Sequence, residues 1–319
     1  MTPQEAAVPR RIVAVVVTFN RLALLRNLVA RLREVDGLAE VLVLDNASTD
    51  GTGAWLAEVA RADGAQTART SGPVLLARTA STNRGGAGGF HDGLAWALER
   101  DADLVWLMDD DGLPDPDCLD RLLAHEGSLD FWGPAVVADD DPGRLVFPIR
   151  LPGGSRVVHT VRDAEAAATD GVIRDVVIPF NGVLVTADLV RRVGLPREEF
   201  FIWGDDVEYL MRARAAGARC ATVVDARVVH PAVGDLGSPM LGGRSTYNHS
   251  PSDLKAYCMA RNNLVNLRDY RGWPFALAFV AKTLWFYLVT RRDPARLRLS
   301  LAAMRDGVRD DFTGHRRFL

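Results

Sequence analysis

The chain begins with a regular alternation of apolar runs and helical patterns. Arg11 to Thr18 (RIVAVVVT) is a continuous β-branched run of the kind buried on both faces of a parallel sheet. Leu22, Leu25, Leu28, Val29 and Leu32 follow at a spacing that predicts one apolar helix face. Glu40–Leu44 reads as a second buried strand, and a polar turn of Asp45, Asn46, Ser48, Thr49, Asp50 and Gly51 leads into a helix around Trp55–Ala60. Val74–Arg78 predicts a short third strand and His91–Arg100 a helix. Asp103–Met108 predicts a fourth strand that runs into Asp109, Asp110 and Asp111.

This alternation implies an α/β fold whose mostly parallel central sheet carries helices on both faces. Right-handed crossovers then bring the C-terminal strand ends to one edge, where ligands bind. Thr18-Phe19-Asn20-Arg21, Asp45-Asn46 and Asp109-Asp110-Asp111 directly follow strands, and Asn83-Arg84-Gly85-Gly86 lies just beyond the third, so these loops are expected to converge on one crevice. Later elements are shorter: strands at Phe131–Val137, Arg156–Val161 and Arg174–Phe180, helices at Ala187–Val193 and Asp206–Ala216, then strands at Cys220–Val224 and Arg227–Val229. From near Ser252 the pattern is helical.

With 319 residues, 48% hydrophobic and 25% charged, the chain has ample material for a large core and is neither disordered nor a disulfide miniprotein. A formal charge of −3 lacks the basic footprint of a nucleic-acid binder. Cys118, Cys220 and Cys258 have no CxxC spacing and read as reduced thiols of a cytosolic protein without structural zinc. The apolar run ending at Thr18 is interrupted by Asn20 and Arg21 and does not read as a signal peptide. Trp273–Val289, with Lys282 in its middle, falls short of the roughly 20 apolar residues that span a bilayer.

Three carboxylates in one turn at Asp109-Asp110-Asp111 repel each other, and a divalent cation is their natural partner; the competing reading is a cap for a helix starting near Asp117. Gly85-Gly86-Ala87-Gly88-Gly89-Phe90 follows the third strand and is not a dinucleotide fingerprint; it suits either close approach of a phosphate or tight helix–sheet contact. Phe200 to Tyr209 (FFIWGDDVEY) places Asp205, Asp206 and Glu208 at a helix start, more acid than capping requires, so that one of them is a candidate general base. His230, after a β-branched strand, is a structural hydrogen-bonder or, beside a metal, a ligand.

Taken together, VVVTFNR, VLVLDNASTDGT, the NRGGAGGF loop, WLMDDD, FFIWGDDVEY and the following histidine resemble the inverting nucleotide-sugar glycosyltransferases of family 2, of GT-A fold. The resemblance is nearest to the bacterial galactofuranosyltransferases and the related rhamnosyltransferases. It implies a GT-A catalytic domain over 11–250, with a nucleotide-binding half at 11–125 and an acceptor-binding half at 126–250, between a flexible tail at 1–10 and a helical region at 251–319. Thr18, Asn20, Arg21, Asp45, Asn83, Gly85, Gly86 and Asp110 would bind the nucleotide-sugar, and Asp109, Asp111 and His230 would hold Mn²⁺ or Mg²⁺. His230 stands 24 residues after Asp206, similar to the separation of metal histidine and base in the galactofuranosyltransferases. Asp206 matches the catalytic base, and Trp203, Asp205 and Glu208 match the acceptor wall, although Gly204 separates the tryptophan from the aspartate pair.

The implied reaction moves galactofuranose from UDP-galactofuranose, or rhamnose from dTDP-rhamnose, to a hydroxyl of a glycan or lipid-linked acceptor in cell-envelope polysaccharide synthesis. Rival readings are a catalytically silent nucleotide-sugar-binding protein, a nucleotidyltransferase and a dehydrogenase; TFNR stands where the last two need a glycine loop after the first strand. Tyr257, Arg261, Asn262 and Asn263 resemble a recurring family segment beside the active site. The aromatic helix at 273–289, followed by Arg291, Arg292, Arg296 and Arg298, suits peripheral attachment to the cytoplasmic membrane face, a homo-oligomer contact or a core helix.

Overall fold

The computed structural model describes residues 10–65, 72–154, 156–178, 180–233, 237–243 and 245–319. Apart from Arg10, the tail expected at 1–10 lies outside the described residues. The chain divides into two compact units, the first from residues up to Asn83, Asp92–Leu195 and Ala218–Pro231, the second from Arg84–His91, Pro196–Gly217 and Ala232–Leu319.

The first unit is built on one sheet. Its strands are β1 (Ile12–Thr18), β2 (Leu38–Asp45), β3 (Val74–Thr79), β4 (Leu104–Asp109), β5 (Leu113–Pro114), β6 (Phe131–Ala138), β7 (Arg144–Arg150), β8 (Val157–Thr160), β9 (Val172–Arg174), β10 (Asn181–Thr186) and β11 (Cys220–His230). They pair in the order β3-β2-β1-β4-β10-β6-β11-β5, with β7 and β8 extending from β6 and β9 pairing with β11. Parallel pairing holds over β3-β2-β1-β4, and the rest is mixed, because β10 runs antiparallel to both β4 and β6. Helices α1 (Leu22–Leu32), α2 (Thr52–Ala65), α4 (Cys118–Leu123), α5 (Val161–Ala167) and α6 (Ala187–Val193) belong to this unit, and α3 (Gly85–Glu99) enters it from Asp92 onward.

Burial explains the sheet centre. All of β1 is buried, and Leu25, Leu28 and Leu32 of α1 pack with Val16, Val41, Trp106 and Trp132 in one core. The fully buried indole N–H groups of Trp106 and Trp132 donate to the carbonyls of Gly182 and Leu122, both at 2.8 Å. All three cysteines are buried thiols.

Several sequence expectations shift. Of the expected strand at 174–180 only Arg174 lies in a strand, as the last residue of β9, because Asp175 and Phe180 take positive φ (63° and 61°); β10 begins right after. Val161 starts α5 instead of ending a strand, since Thr160 caps the helix by accepting from the Asp163 amide. The expected strands at 220–224 and 227–229 are one strand with a register irregularity between Val223 and Arg227. The helix expected at 91–100 begins six residues earlier, at Gly85, and absorbs the glycine stretch.

The second unit comprises the first turns of α3, α7 (Asp205–Ala215), a hairpin of β12 (Gly237–Met240) and β13 (Ser245–Asn248), and α8 (Asp253–Arg271), α9 (Trp273–Trp285) and α10 (Pro294–Val308). Helix α9 continues as a π-helical turn to Thr290, and this 18-residue stretch has a mean hydropathy of 1.3 with 22% of it buried. Ala276, Thr283, Phe286 and Tyr287 face inward, whereas Trp273, Phe275, Leu277, Trp285 and Leu288 are exposed. By length and composition the stretch is long and apolar enough to cross a membrane; Phe279, Val280 and Leu284 pack partly against the core beside the inward-facing residues.

Candidate active site

In the first unit the strand register assembles an acidic edge. Thr18 lies opposite Asp45, and Val17 opposite Asp109, so the residues that follow β1, β2 and β4 come together. Thr18 Oγ1 donates to Asp110 at 2.6 Å, and Arg21 Nη1 donates to Asp110 at 3.2 Å and to Asp111 at 2.5 Å. Because β10 opposes both β4 and β6, and β6 is parallel to β11, the last residue of β11 reaches the same edge. There His230 Nε2 stands 3.2 Å from Asp111 Oδ1. A cleft of about 150 Å³ beside this pair is lined by Asn27, Asp110, Asp111, Asp139 and His230.

The charges balance locally. Burial raises the Asp110 carboxyl, and the Thr18 hydrogen bond and the Arg21 charge only partly offset it. Burial also works against ionised Asp111, yet His230 and Arg21 hold that carboxyl below its ordinary range. His230 is raised in turn, because Asp111 outweighs the burial that disfavours imidazolium.

Asp109, Asp111 and His230 are the expected metal ligands, but among the described residues no group of three His, Cys, Asp or Glu side chains stands arranged to hold an ion. Arg21 and His230 instead supply the positive charge beside Asp111. The donor set still fits a hard divalent cation. Asp111 Oδ1 is buried without a directed hydrogen bond, its approach to His230 being an ion pair only. His230 Nδ1 lies 2.8 Å from the Pro231 carbonyl, which can only accept, so Nδ1 carries hydrogen and Nε2 is the atom turned to the carboxylate.

Asp45 uses Oδ1 to accept from the Ser48 amide at 3.0 Å, while its Oδ2 is buried and accepts nothing. Asn20, at φ 55°, ties two loops: its Oδ1 accepts from the Thr49 amide at 2.7 Å, and its own amide donates to Ser48 Oγ at 2.8 Å. Asp50 completes this lock by accepting from the Leu22 and Thr52 amides. The polar turn was legible in sequence; its role as a lock between loops was not. Asn83 is half-buried at the end of a segment of this unit.

Gly85 and Gly86 belong to the second unit, in the first turn of α3. Gly85 has φ +69°, and a Cβ there would lie 2.0 Å from the Phe201 carbonyl oxygen, so close passage of that backbone requires glycine. Ala87 N donates to the same oxygen at 3.1 Å. Tight helix–sheet contact is found further along, at Gly93, whose Cβ would meet Val15 Cγ1 at 2.4 Å.

The segment before α7 is unusual. Phe201 (φ 66°, ψ −63°) centres a three-residue turn closed by Ile202 N donating to Phe200 O at 2.8 Å, and Trp203 is left-handed at φ 67°. Conformations of this kind cost of order 1–3 kcal/mol each and persist only where their surroundings enforce them. Gly204 (φ 83°) then caps the helix start. Asp205 is buried, and burial followed by the Asp206 charge pushes its carboxyl up to about 8. Asp206 is half-buried, accepts from the Val207 amide at 2.7 Å, and is likewise raised by burial. Glu208 is engaged on all sides: Arg212 donates to both its oxygens and Tyr270 donates at 2.5 Å. Asn262, Asn266 and Tyr270 form an i, i+4, i+8 polar row on buried α8, a signal that could have identified Asn266 and Tyr270 from sequence.

An acidic cluster at the C-terminal edge of such a sheet is the architecture of the GT-A glycosyltransferases. The mannosyltransferase PcManGT from Pyrobaculum calidifontis, solved with GDP-Man and Mn²⁺, superposes with a TM-score of 0.53 at 20% identity over 93% of this chain and 74% of that one. Residues 13–150 match glycosyl transferase family 2. The galactofuranosyltransferase GlfT1 of Mycolicibacterium smegmatis is 36% identical over 242 residues, covering 72% of this chain and 78% of the relative. An undecaprenyl-phosphate mannosyltransferase of Micrococcus luteus is 26% identical over 220 residues, 67% of this chain and 82% of that protein. The chain belongs to glycosyl transferase family 2 and is a glycosyltransferase.

Proposed function

We propose that this enzyme transfers galactofuranose from UDP-galactofuranose, with inversion and with a divalent cation, to a hydroxyl of a glycan or lipid-linked acceptor in cell-envelope polysaccharide synthesis. The 36% identity to a galactofuranosyltransferase carries the choice of sugar. In the first unit, the buried, unpartnered Asp45 Oδ2 suits an N–H of the nucleobase, with Thr18, Asn20, Arg21, Asn83 and Asp110 around the nucleotide. Asp109, Asp111 and His230 would hold Mn²⁺ or Mg²⁺, which when bound offsets negative charge on the diphosphate. Gly85 and Gly86 complete the donor-binding set in this reading.

Asp206 is the general base. A carboxylate raised by burial is better matched to removing a hydroxyl proton near neutral pH than one at its ordinary value. The deprotonated acceptor oxygen attacks the anomeric carbon from the face opposite the leaving diphosphate; one C–O bond forms as the other breaks, and the proton stays on Asp206. No covalent glycosyl-enzyme is needed. Trp203 supplies an apolar wall for the acceptor, with Asp205 and Glu208 behind it. The exposed apolar face of the 273–290 helix and the arginines after it support peripheral attachment to the cytoplasmic face of a membrane that carries the acceptor.

The test pairs nucleotide titration with turnover. UDP should bind more tightly with Mn²⁺ than without it and in preference to dTDP. Asp206→Asn should lower transfer by about 10²- to 10⁴-fold while leaving UDP affinity nearly intact. Equal loss of binding and turnover would remove Asp206 from the role of base, and preference for dTDP would turn the donor to rhamnose.

A further inference from the structure

We propose that Asn262, backed by Arg261 and Asn266, is a positioning residue for the transfer, holding the left-handed turn at 200–204 that leads into Asp205 and Asp206. The proposal rests on the reading of Asp206 as the base. Its physical ground is a complete account of the carbonyls in that turn. Asn262 Nδ2 donates to the carbonyls of Phe200 (3.1 Å), Ile202 (3.1 Å) and Trp203 (2.6 Å), its two hydrogens fanned across three acceptors. Arg261 Nη2 adds a bond to Phe200 O at 2.9 Å. The Phe201 carbonyl is taken by the Ala87 amide, and that of Gly204 by Asn266 Nδ2 at 2.8 Å and by the Glu208 amide at 2.9 Å.

The orientation of the amide is dictated by its neighbour. Arg261 Nε donates to Asn262 Oδ1 at 2.9 Å, and a guanidinium can only donate, so Nδ2 must face the turn. Arg261 is itself anchored in the C-terminal segment, with Nη1 3.2 Å from Phe312 O and 3.3 Å from His315 Nδ1. The His315 ring stacks on Phe201 at 4.6 Å between centroids. Arg261 and Asn262 are fully buried, and neither would be needed merely to pack a helix. A helix–helix contact between apolar side chains costs less to build than a guanidinium and two amides taken out of water. The donors of Asn262 all go to a stretch of backbone in which Phe201, Trp203 and Gly204 hold positive φ. Gly204 shows how closely the parts meet, since a Cβ there would stand 3.2 Å from Asn262 Cβ.

The experiment uses the full chain carrying Asn262→Ala or the nearly isosteric Asn262→Asp, which keeps the volume and removes both N–H donors. Each should lose about 100-fold in kcat, the scale of a small misplacement of a reacting group, while donor KM and UDP affinity stay within about twofold. Amide exchange should quicken at least about tenfold over residues 201–207 and stay unchanged in β1 and β4. Native kcat in a folded Asn262→Asp enzyme overturns the proposal, as does loss of UDP affinity in proportion to kcat, which marks general damage. Should both variants fail to fold, Asn266→Ala decides, because it removes one of the two donors to the Gly204 carbonyl and leaves the helical bond from the Glu208 amide in place. A loss of about tenfold in kcat with faster exchange at 204–208 supports the clamp, and native kcat with native exchange overturns it. If Asp206→Asn keeps native turnover, the assignment of the base fails by itself, and the exchange readout still decides whether Asn262 holds the turn.

Discussion

Asp205→Asn separates the electrostatic cost of the acidic turn from its chemistry. Asp205 is 6% exposed in the first turn of α7, with Asp206 adjacent and Glu208 close by. Burial is the largest influence on it and the Asp206 charge the next; against the pull of backbone N–H groups they push its carboxyl up to about 8. In the unfolded chain the same group titrates near its ordinary value, about 3.9. Between these values the folded state keeps a proton that the unfolded state gives up, so the stabilisation is complete below about pH 4 and is lost as pH rises towards 8. One group can impose a slope of at most about 1.4 kcal/mol per pH unit, which sets a ceiling of roughly 4 kcal/mol between pH 5 and pH 8. Half-buried Asp206 lets water near the pair, and we expect about 2 kcal/mol of this to be realised. Asparagine keeps the shape and removes the charge. Urea unfolding of parent and variant at pH 5 and pH 8 should therefore show the variant gaining about 2 kcal/mol on the parent at the higher pH and little at the lower. Parallel pH dependence in the two proteins would refute the claim that Asp205 is held protonated by its surroundings.

Gly85→Ala should be costly well beyond a surface substitution: the left-handed φ of +69° and a Cβ 2.0 Å from the Phe201 oxygen together predict a loss of roughly 2–4 kcal/mol, read as a melting temperature lower by about 5–10 °C. A melting temperature matching the parent would show that the backbone there yields freely. Trp273 and Trp285, 50% and 46% exposed, should enter an anionic bilayer surface, so that replacing both by alanine weakens cosedimentation with phosphatidylglycerol vesicles by about tenfold or more. Equal sedimentation of parent and variant would take the 273–290 face out of membrane contact.

The elements most legible in sequence are those whose burial is uniform. β1, β4 and the Val41–Leu44 part of β2 are continuous apolar runs because both faces of a central strand are covered, and their length and β-branched content favour strand over a buried helix. α1 was equally plain, its buried Leu25, Leu28, Val29 and Leu32 repeating at helical spacing. The acids that follow these strands were legible for the same reason, since parallel strands end at one edge whatever the details of their connections. Where burial is partial, the pattern misled. The pattern places a strand at 174–180, where positive φ at Asp175 and Phe180 interrupts it, while β10 starts only at Asn181, and the glycine stretch that suggests a loop opens α3.

By itself, then, the sequence determined the α/β alternation, the sheet core, the acidic strand end and the acid-rich start of α7, because each depends on neighbours within a few residues or on a repeat along one element. The tertiary structure decided which of those acids are neutralised and by what. Asp111 meets His230 because the short β5 just after it pairs with Val228 and Val229 at the end of β11; Glu208 is bound by Tyr270 of α8 as well as by Arg212 of its own helix; and the turn at 200–204 is held by Asn262 and Asn266. A hydrogen bond requires its partners within about 3 Å and in line. Which distant residues satisfy that condition is set by strand order and helix placement, and no local pattern encodes it.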